Sequence, residues 1–180
     1  MLSHARGPLA AGGDVLDQRL HGRLAAYVPH QLEIGQGSGG GLVVFPTETV
    51  YGLGADALNE SAERRVFEAK GRPANNPLIV HVSGPEMARP LVRQWTTQAD
   101  ILARAFWPGP LTLVLEKSDA VPSVIAAGGP SVALRCPDHP LTLALLFRLQ
   151  RPLVGPSANR SGHISPTTAQ HVRAEFGPAE

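Results

Sequence analysis

Residues 59–82 read NESAERRVFEAKGRPANNPLIVHV and contain the pattern that decides the fold: a helix, a turn and a strand in immediate succession. Asn59 or Ser61 can cap the helix, and Gly71 follows its last residue, where a left-handed backbone commonly ends a helix. Two prolines stiffen the turn. The apolar run Leu78–Val82 that comes next is typical of a buried strand.

Strand and helix patterns alternate along the rest of the chain, which predicts an α/β domain. Because the predicted strands are almost continuously apolar, we expect helices to cover the sheet or the sheet to fold round a cleft. The predicted strands are Leu42–Phe45, Leu78–Val82, Leu111–Leu115, Val132–Arg135 and Pro152–Gly155. The predicted helices span residues 14–27, 59–70, 85–95, 97–106, 140–150 and 167–176.

Length and composition indicate one ordinary globular domain. Of the 180 residues, 43% are apolar, and 16 basic residues nearly balance 15 acidic ones. A global electrostatic case for nucleic-acid binding is therefore absent, while a local basic cleft stays possible. We expect a mobile segment over residues 1–12, one domain over residues 13–180, and a flexible connector in the glycine-rich run 35–41. That run precedes a strand, which is the wrong order for a phosphate-binding loop.

Cysteine use and hydropathy indicate a cytoplasmic protein. The one cysteine, Cys136, excludes an internal disulfide and suits a reducing compartment. It lies in an apolar strand, so a small core residue is favoured over a nucleophile. No apolar run approaches the ~20 residues of a membrane span, and no secretory signal is visible.

The turn in the opening segment carries two cations, Lys70 and Arg72, one residue apart. Fixed cations in a stiff loop beside a strand suit an anionic ligand, most simply a polyphosphate. The alternative interpretation is a solvated, positively charged turn.

Three further polar segments flank predicted strands. Residues 46–54 place hydroxyls, a carboxylate, a phenol and two glycines in a turn, which could equally be a loop capped by its own side chains. Arg135 closes a strand and suits carboxylate capture, unless it pairs with Asp138. Residues 155–167 combine small hydroxyl residues with glycines that let a ligand approach the backbone, or they form a turn before a Thr-capped helix. His81, alone in an apolar strand, is more often a core residue than a catalytic one.

Several common chemistries lack their motifs. The chain has no GxxxxGK[ST] loop, no HExxH and no GxSxG, and its seven histidines lack paired ligand spacing. A structural zinc site and a nucleophilic triad are therefore not expected. Ligands of α/β sheets gather beyond strand ends, where all four polar segments lie, so their coincidence favours a shared site.

Read together, five motifs resemble the YrdC-like family of L-threonylcarbamoyladenylate synthases. They are PTETVYGLGADA, KGRPANNPLIVHV, WPGPLTLVL, SVALRCPDHP and PSANRSGHISPTTA, in family order from about residue 42 to about residue 172. The resemblance implies a twisted mixed α/β sheet with flanking helices around a large, positively lined concave cavity. It also implies synthesis of threonylcarbamoyl-AMP and pyrophosphate from L-threonine, bicarbonate and ATP, with Mg²⁺ accompanying ATP.

The resemblance also implies roles for individual residues, none of them metal ligands. The catalytic set is Lys70, Arg72, Ser157 and Asn159. The ATP-binding set adds Asn76, Ser131 and Ser165. The L-threonine set is Thr49, Tyr51, His81, Arg135 and the Gly155 backbone.

The implied product feeds N6-threonylcarbamoylation of adenosine 37 in tRNA, which makes tRNA or a downstream threonylcarbamoyl transferase complex the expected partner. Family chains continue past the last helix through a strand and a loop with further Ser and Arg ligands, whereas this one ends at Glu180. Two rivals remain at this stage. One is a carbamoyltransferase-type domain that forms a carbamoyl adenylate. The other is a non-catalytic RNA-binding module, although few aromatic residues are available for base stacking.

Overall fold

A computed structural model of the chain describes residues 33–34 and 41–177. The segment predicted to be mobile (1–12), the predicted helix over residues 14–27 and nearly all of the glycine-rich run lie outside the described residues. Within the described part, no helix is both long and apolar enough to cross a membrane.

The centre of the fold is a mixed sheet whose described strands follow the order β1-β2-β3-β7-β4-β6-β5. Strands β4 and β6 are parallel, and every other neighbouring pair is antiparallel. This arrangement confirms the predicted α/β class. The strands are β1 (Glu33–Ile34), β2 (Leu42–Pro46), β3 (Tyr51–Asp56), β4 (Ile79–His81), β5 (Thr112–Glu116), β6 (Ser131–Arg135) and β7 (Leu153–Val154).

Three of the five described α-helices begin at capping residues that their sequences offer. Asn59 caps the first helix through its side chain, and Gly71 ends it in the left-handed conformation at φ 58°. Thr96 and Thr168 cap two others in the same way. The helices are α1 (Glu60–Lys70), α2 (Pro85–Ala88), α3 (Thr97–Phe106), α4 (Pro140–Leu149) and α5 (Ala169–Phe176).

The helix predicted over residues 85–95 is wrong in length. The α-helix covers only Pro85–Ala88 and continues as a single 3₁₀ turn, Arg89–Leu91. Pro90 lies in that turn, and because proline has no backbone N–H it cannot donate the bond that would extend an α-helix. Val92 is extended and forms a bridge to Lys117.

The turn predicted over residues 46–54 is also wrong, because only its first part turns. From Tyr51 onward the chain is strand β3, paired with β2 and β7. Gly52 and Gly54 are strand residues on which the Phe45 ring packs: a Cβ at these positions would lie 2.9 and 2.5 Å from its ring atoms. The glycines therefore record a close approach of an aromatic ring rather than a turn.

The two faces of the sheet are covered differently. On one face the main core joins the strands to α1, and α3 packs by Ala99 and Ala103 against Leu113 of β5. On the other face, α4 covers the part around β2 and β7, where Phe45, Leu146 and Leu153 form a smaller cluster. Beyond α4, this second face stays more open over β4, β6 and β5.

Candidate active site

Strand alternation places several predicted site residues on the more open face. Ser131, Ala133 and Arg135 alternate with the buried Val132 and Leu134, so the first three share one face of β6. Ser131 and Arg135 are four residue steps apart along the strand, a distance of roughly 13 Å. A predicted nucleotide contact and a predicted threonine contact thus lie at opposite ends of one strand face.

Parallel pairing brings His81 beside Arg135. The two residues are register partners in β4 and β6, and Thr112 of β5 is the next partner in the same row. The neighbouring row on the same face contains Ile79, Ala133 and Val114. This row is apolar, and Val114 is 66% exposed. The open face therefore carries an apolar row next to the row that contains His81 and Arg135.

The Arg135 guanidinium forms an ion pair with Glu48, and the two side chains are only 11% and 19% exposed. The alternative prediction, a salt bridge to Asp138, is wrong, because the backbone N–H of Asp138 instead donates to the other oxygen of Glu48 at 3.2 Å. Burial raises the pKa of Glu48, but the bonds from Arg135 and the backbone outweigh it and hold that pKa below its ordinary value. Arg135 Nε is buried without a partner among the described residues.

His81 is buried and neutral. Its Nε2 lies 3.2 Å from the carbonyl oxygen of Gly155, and its ring meets the Phe45 ring edge-on with centroids 5.2 Å apart. Burial is the main cause that lowers its pKa to about 4, with the Arg135 charge adding to it. As a neutral ring bonded to a carbonyl, His81 carries its proton on Nε2 and leaves Nδ1 as an acceptor.

Gly155 fits only because it lacks a side chain. A Cβ there would lie 2.4 Å from Phe45 Cζ and 2.6 Å from His81 Cδ2. The backbone N–H of Gly155 donates to Ile79 O at 3.0 Å, which fixes the segment beside β4. The predicted contact through the Gly155 backbone thus lies directly against His81.

The remaining residues of the predicted threonine set belong to the turn before β3. Thr49 is exposed, and its hydroxyl lies 3.0 Å from that of Thr47. Its neighbour Glu48 connects this turn to Arg135. Tyr51 is half-buried, and its backbone carbonyl accepts from the N–H of Ala158 at 2.7 Å. The structure therefore brings Thr49, His81, Arg135 and Gly155 near one another around β4, β6 and β7, whereas the Tyr51 side chain packs against the main core.

Lys70 is buried rather than displayed in a loop. It is the last residue of α1, it is 2% exposed, and its ammonium donates to the backbone carbonyls of Ser157 and Asn159. Burial, followed by the charge of Arg72, lowers the pKa of Lys70 to about 8. Lys70 thus joins two members of the predicted ATP-binding set by holding their backbone in place.

Arg72 and Asn76 form the outer part of the predicted ATP site. The Arg72 guanidinium donates to the carbonyls of Asn76 at 3.4 Å and Pro77 at 3.1 Å, which holds the side chain across its own loop. Ser131 is exposed at the start of β6. Within residues 41–177, no hydrogen bond joins these three side chains to Ser157 or Asn159.

Asn159 and Ser165 line an open cleft of about 570 Å³ between residues 158–166 and α5. The Asn159 amide donates to the carbonyls of Arg160 at 2.7 Å and His163 at 2.9 Å, while its oxygen is buried without a partner in the described part. Glu175 of α5 closes the far side by accepting from the Arg160 N–H and from His163. The large concave cavity implied by the resemblance stays a prediction.

The segment 155–159 connects the two groups of residues. Gly155 contacts His81 at its start, Ser157 forms a bridge to Gly52 of β3, and the Ser157 and Asn159 carbonyls bind Lys70 at its end. The predicted ATP and threonine sets are therefore coupled through one short, firmly bonded stretch of backbone.

Sequence reasoning missed two residues of the site, Glu48 and Phe45. The Glu48 carboxylate belongs to the polar segment 46–54, but the sequence assigns it no role of its own, and Phe45 is predicted only as part of a buried strand. The available signal was the pair Gly52 and Gly54, two glycines at alternate positions, which leave room on one face of β3 for a ring.

Two other observations bear on chemistry. No group of three or more His, Cys, Asp or Glu residues is gathered for a metal ion within residues 33–34 and 41–177. Cys136 is buried, and burial raises the pKa of its thiol to about 12, in agreement with the predicted core role.

Comparison with known proteins reveals the relatives of this chain. The sequence profile of the family Sua5_yciO_yrdC, described as "Telomere recombination", matches residues 16–179. Threonylcarbamoyl-AMP synthase of Pyrococcus abyssi is 56% identical over 137 residues, which are 76% of this chain and 40% of the relative. The Bacillus subtilis enzyme of the same name is 51% identical over 73% of this chain and 38% of its own length. The chain thus spans about two fifths of these two relatives.

Solved structures agree with the sequence matches. P. abyssi Sua5 complexed with L-threonine matches with a TM-score of 0.74 and 56% identity, over 75% of this chain and 40% of that one. Escherichia coli YciO matches in fold, with a TM-score of 0.68 at 18% identity over 91% of this chain and 73% of that one. The profile match covers nearly the whole chain, and the five motifs lie on the strands and turns that form the site. The chain therefore belongs to the Sua5/YciO/YrdC family.

Proposed function

We propose that this chain is an L-threonylcarbamoyladenylate synthase domain, a nucleotidyltransferase that forms threonylcarbamoyl-AMP and pyrophosphate from L-threonine, bicarbonate and ATP. The observation that carries the proposal is the gathering of Thr49, His81, Arg135 and Gly155 at neighbouring strand ends. The 56% identity to a P. abyssi protein solved in complex with L-threonine supports the same ligand here.

The proposed threonine site captures both ends of an amino acid. Arg135 supplies a planar guanidinium for the carboxylate, with donors left over beyond the one bound to Glu48. Neutral His81 holds the Gly155 backbone through its carbonyl and adds no charge to the site, and Thr49 adds an exposed hydroxyl. Because Arg135 is the one cation among these groups, the proposed threonine site favours a single carboxylate over a polyphosphate.

The proposed ATP site lies along residues 155–159 and the loop after α1. Arg72, Asn76 and Ser131 would contact the nucleotide from the loop and the start of β6, while Ser157, Asn159 and Ser165 would contact it from the other side. Lys70 contributes by fixing the Ser157 and Asn159 backbone and by placing a positive charge beneath it. Positioned donors and charges of this kind stabilise the transferring phosphoryl group through electrostatics.

The proposed reaction needs no covalent enzyme intermediate. The threonine amine adds to carbon dioxide from bicarbonate and loses a proton, which gives a carbamate. A carbamate oxygen then attacks the α-phosphorus of ATP, the bond from that phosphorus to the bridging oxygen breaks, and pyrophosphate leaves. The protein's task is to hold two anions in line, so orientation and charge compensation supply the rate enhancement.

Mg²⁺ is proposed to arrive with ATP. The described residues offer no carboxylate and histidine cluster for a resident ion. Mg²⁺ commonly keeps several waters and takes its other ligands from substrate phosphates, so the site described above suits that mode of binding. When bound, the ion would neutralise phosphate charge. Arg72 and the backbone of residues 155–159 would orient the triphosphate of ATP.

The proposed product is destined for N6-threonylcarbamoylation of adenosine 37 in tRNA. This assigns tRNA, or a transferase complex that consumes threonylcarbamoyl-AMP, as the partner, and the cytoplasm as the place of action. The near-neutral charge of the chain favours hand-over to a partner enzyme above tight tRNA binding by this domain.

ATP–pyrophosphate exchange tests the proposal. We expect exchange that requires both L-threonine and bicarbonate, and exchange that is indifferent to L-threonine would refute it. Arg135→Ala should raise the KM for threonine with little change for ATP, and Arg72→Ala should do the reverse. Equal loss of both ligands in either variant would instead indicate a structural role for that arginine.

A further inference from the structure

The Glu48 carboxylate connects three segments that meet at the proposed threonine site. One oxygen accepts from Arg135 at the end of β6, and the other accepts from the Asp138 N–H at 3.2 Å in the loop that follows. Glu48 itself lies in the turn between β2 and β3, next to Thr49. We propose that Glu48 is a positioning residue for L-threonine binding, acting through Arg135. This inference rests on the proposed function.

An arginine at a strand end needs an external group to fix it. Its side chain has several rotatable bonds, and ordering it costs conformational entropy that the ligand would otherwise have to offset. Glu48 orders Arg135 before any ligand arrives and uses one Nη2 donor. A guanidinium carries five N–H donors; the Nε donor of Arg135 is buried and one Nη2 donor binds Glu48, which leaves the other Nη donors for a carboxylate.

Both oxygens of Glu48 are needed for this arrangement. Because the Asp138 N–H holds the second oxygen, the carboxylate is itself fixed and can orient Arg135. The side chain is 19% exposed and stays ionised at neutral pH, since its partners keep the pKa below the ordinary value. Arg135 and the Asp138 N–H meet different oxygens of Glu48, and a glutamine in the same pose would present an NH2 donor to one of these two donors.

The position of the Glu48–Arg135 pair separates its effect on threonine binding from any effect on ATP binding. The pair joins the end of β6 to the turn between β2 and β3, and its two side chains are 11% and 19% exposed. Within the described residues, no hydrogen bond or ion pair links Glu48 to the segments of the proposed ATP site. Loss of the pair should therefore disturb threonine binding and leave ATP binding intact.

Threonine and ATP affinities of four variants test the inference in the full 180-residue chain. The variants are Glu48→Gln, Arg135→Ala, the double variant, and the matched control Glu60→Gln, which breaks an exposed ion pair of α1 at 3.5 Å. Titration calorimetry gives the Kd values for L-threonine and ATP, and pyrophosphate exchange gives kcat and KM for threonine. The ATP titration also shows that each variant is folded.

We expect Glu48→Gln to raise the KM and Kd for threonine about tenfold or more, to change the Kd for ATP less than twofold, and to have kcat close to that of the parent. In the Arg135→Ala background the same substitution should change threonine affinity less than twofold, because the guanidinium that Glu48 orients is absent. Glu60→Gln should behave as the parent chain.

Three results would overturn the inference while the proposed function stands. Threonine affinity could be unchanged in Glu48→Gln, it could increase because Glu48 competes with the ligand, or ATP affinity could fall equally. A parent chain whose exchange ignores threonine would instead refute the proposed function, and the inference with it.

Discussion

Replacing Glu63 by leucine should stabilise the protein in a manner that depends on pH. Glu63 lies in α1 and is fully buried, and neither carboxylate oxygen has a hydrogen-bond partner in the described part of the chain. Burial, with smaller contributions from the charges of Glu60 and Asp56, raises its pKa from 4.5 to about 7. The folded protein therefore holds a proton that the unfolded chain releases at lower pH.

The sign of the pH effect follows from this difference. Between pH 4.5 and about 7 the folded state binds more protons than the unfolded state, so the free energy of unfolding decreases as pH rises through that window. A pKa rise of this size corresponds to about 3 kcal/mol once both states are ionised. Glu63→Leu removes that loss, and at pH 8 its melting temperature should exceed the parent's by roughly 6–12 °C.

Thermal melts of both proteins from pH 4.5 to pH 8 provide the measurement. The two curves should lie close together at the acidic end and separate toward pH 8. Glu63→Gln serves as an isosteric control that cannot titrate and should lose the pH dependence while gaining less stability. Glu68→Gln, an exposed control on the same helix whose charge does not contribute to the raised pKa of Glu63, should follow the parent. Curves for the parent and Glu63→Leu that fall in parallel would refute the reasoning.

Three further predictions concern the site and its support. Gly155→Ala should lower the free energy of unfolding by about 1–3 kcal/mol and weaken threonine binding, because its Cβ would meet the rings of Phe45 and His81. Denaturant unfolding measures the stability, and titration calorimetry measures the Kd for threonine. Lys70→Met should destabilise the fold by about 1–3 kcal/mol, because two carbonyl groups lose their donor, and denaturant unfolding measures the loss. Cys136 should resist thiol reagents at pH 8 in the native chain and react fully in denaturant, and rapid native labelling would contradict its burial.

The elements that sequence predicted well are those with local signals at both ends. Helix α1 begins and ends where Asn59 and Gly71 place it, because a side-chain cap and a left-handed glycine act within one turn of the backbone. The strands from Leu42 and Ser131 likewise follow short apolar runs that end at polar residues. Such features depend on neighbours a few residues away.

The elements that sequence predicted poorly depend on distant packing. Strand β3 contains two glycines, which suggested a turn, but they are strand residues that make room for Phe45. The apolar pattern of residues 85–95 resembled a helix, yet Pro90 and the pairing of Val92 with Lys117 redirect the chain. For β3 a tertiary contact outweighs the local propensity, whereas for residues 85–95 Pro90 is a local signal that the apolar pattern masked and the Val92 pairing adds to it.

For the site, the sequence by itself determined the family, the α/β class and the set of polar segments beyond the strand ends. It did so because capping, turn chemistry and hydrophobic runs are local, and because five motifs in order are specific in combination. Only the tertiary structure decided which groups meet. Arg135 pairs with Glu48, 87 residues away, instead of the nearby Asp138, and Lys70 faces two carbonyls instead of solvent. The physical reason is that ion pairs and buried hydrogen bonds form where strand register and backbone direction bring groups within about 3 Å, whatever their separation along the chain.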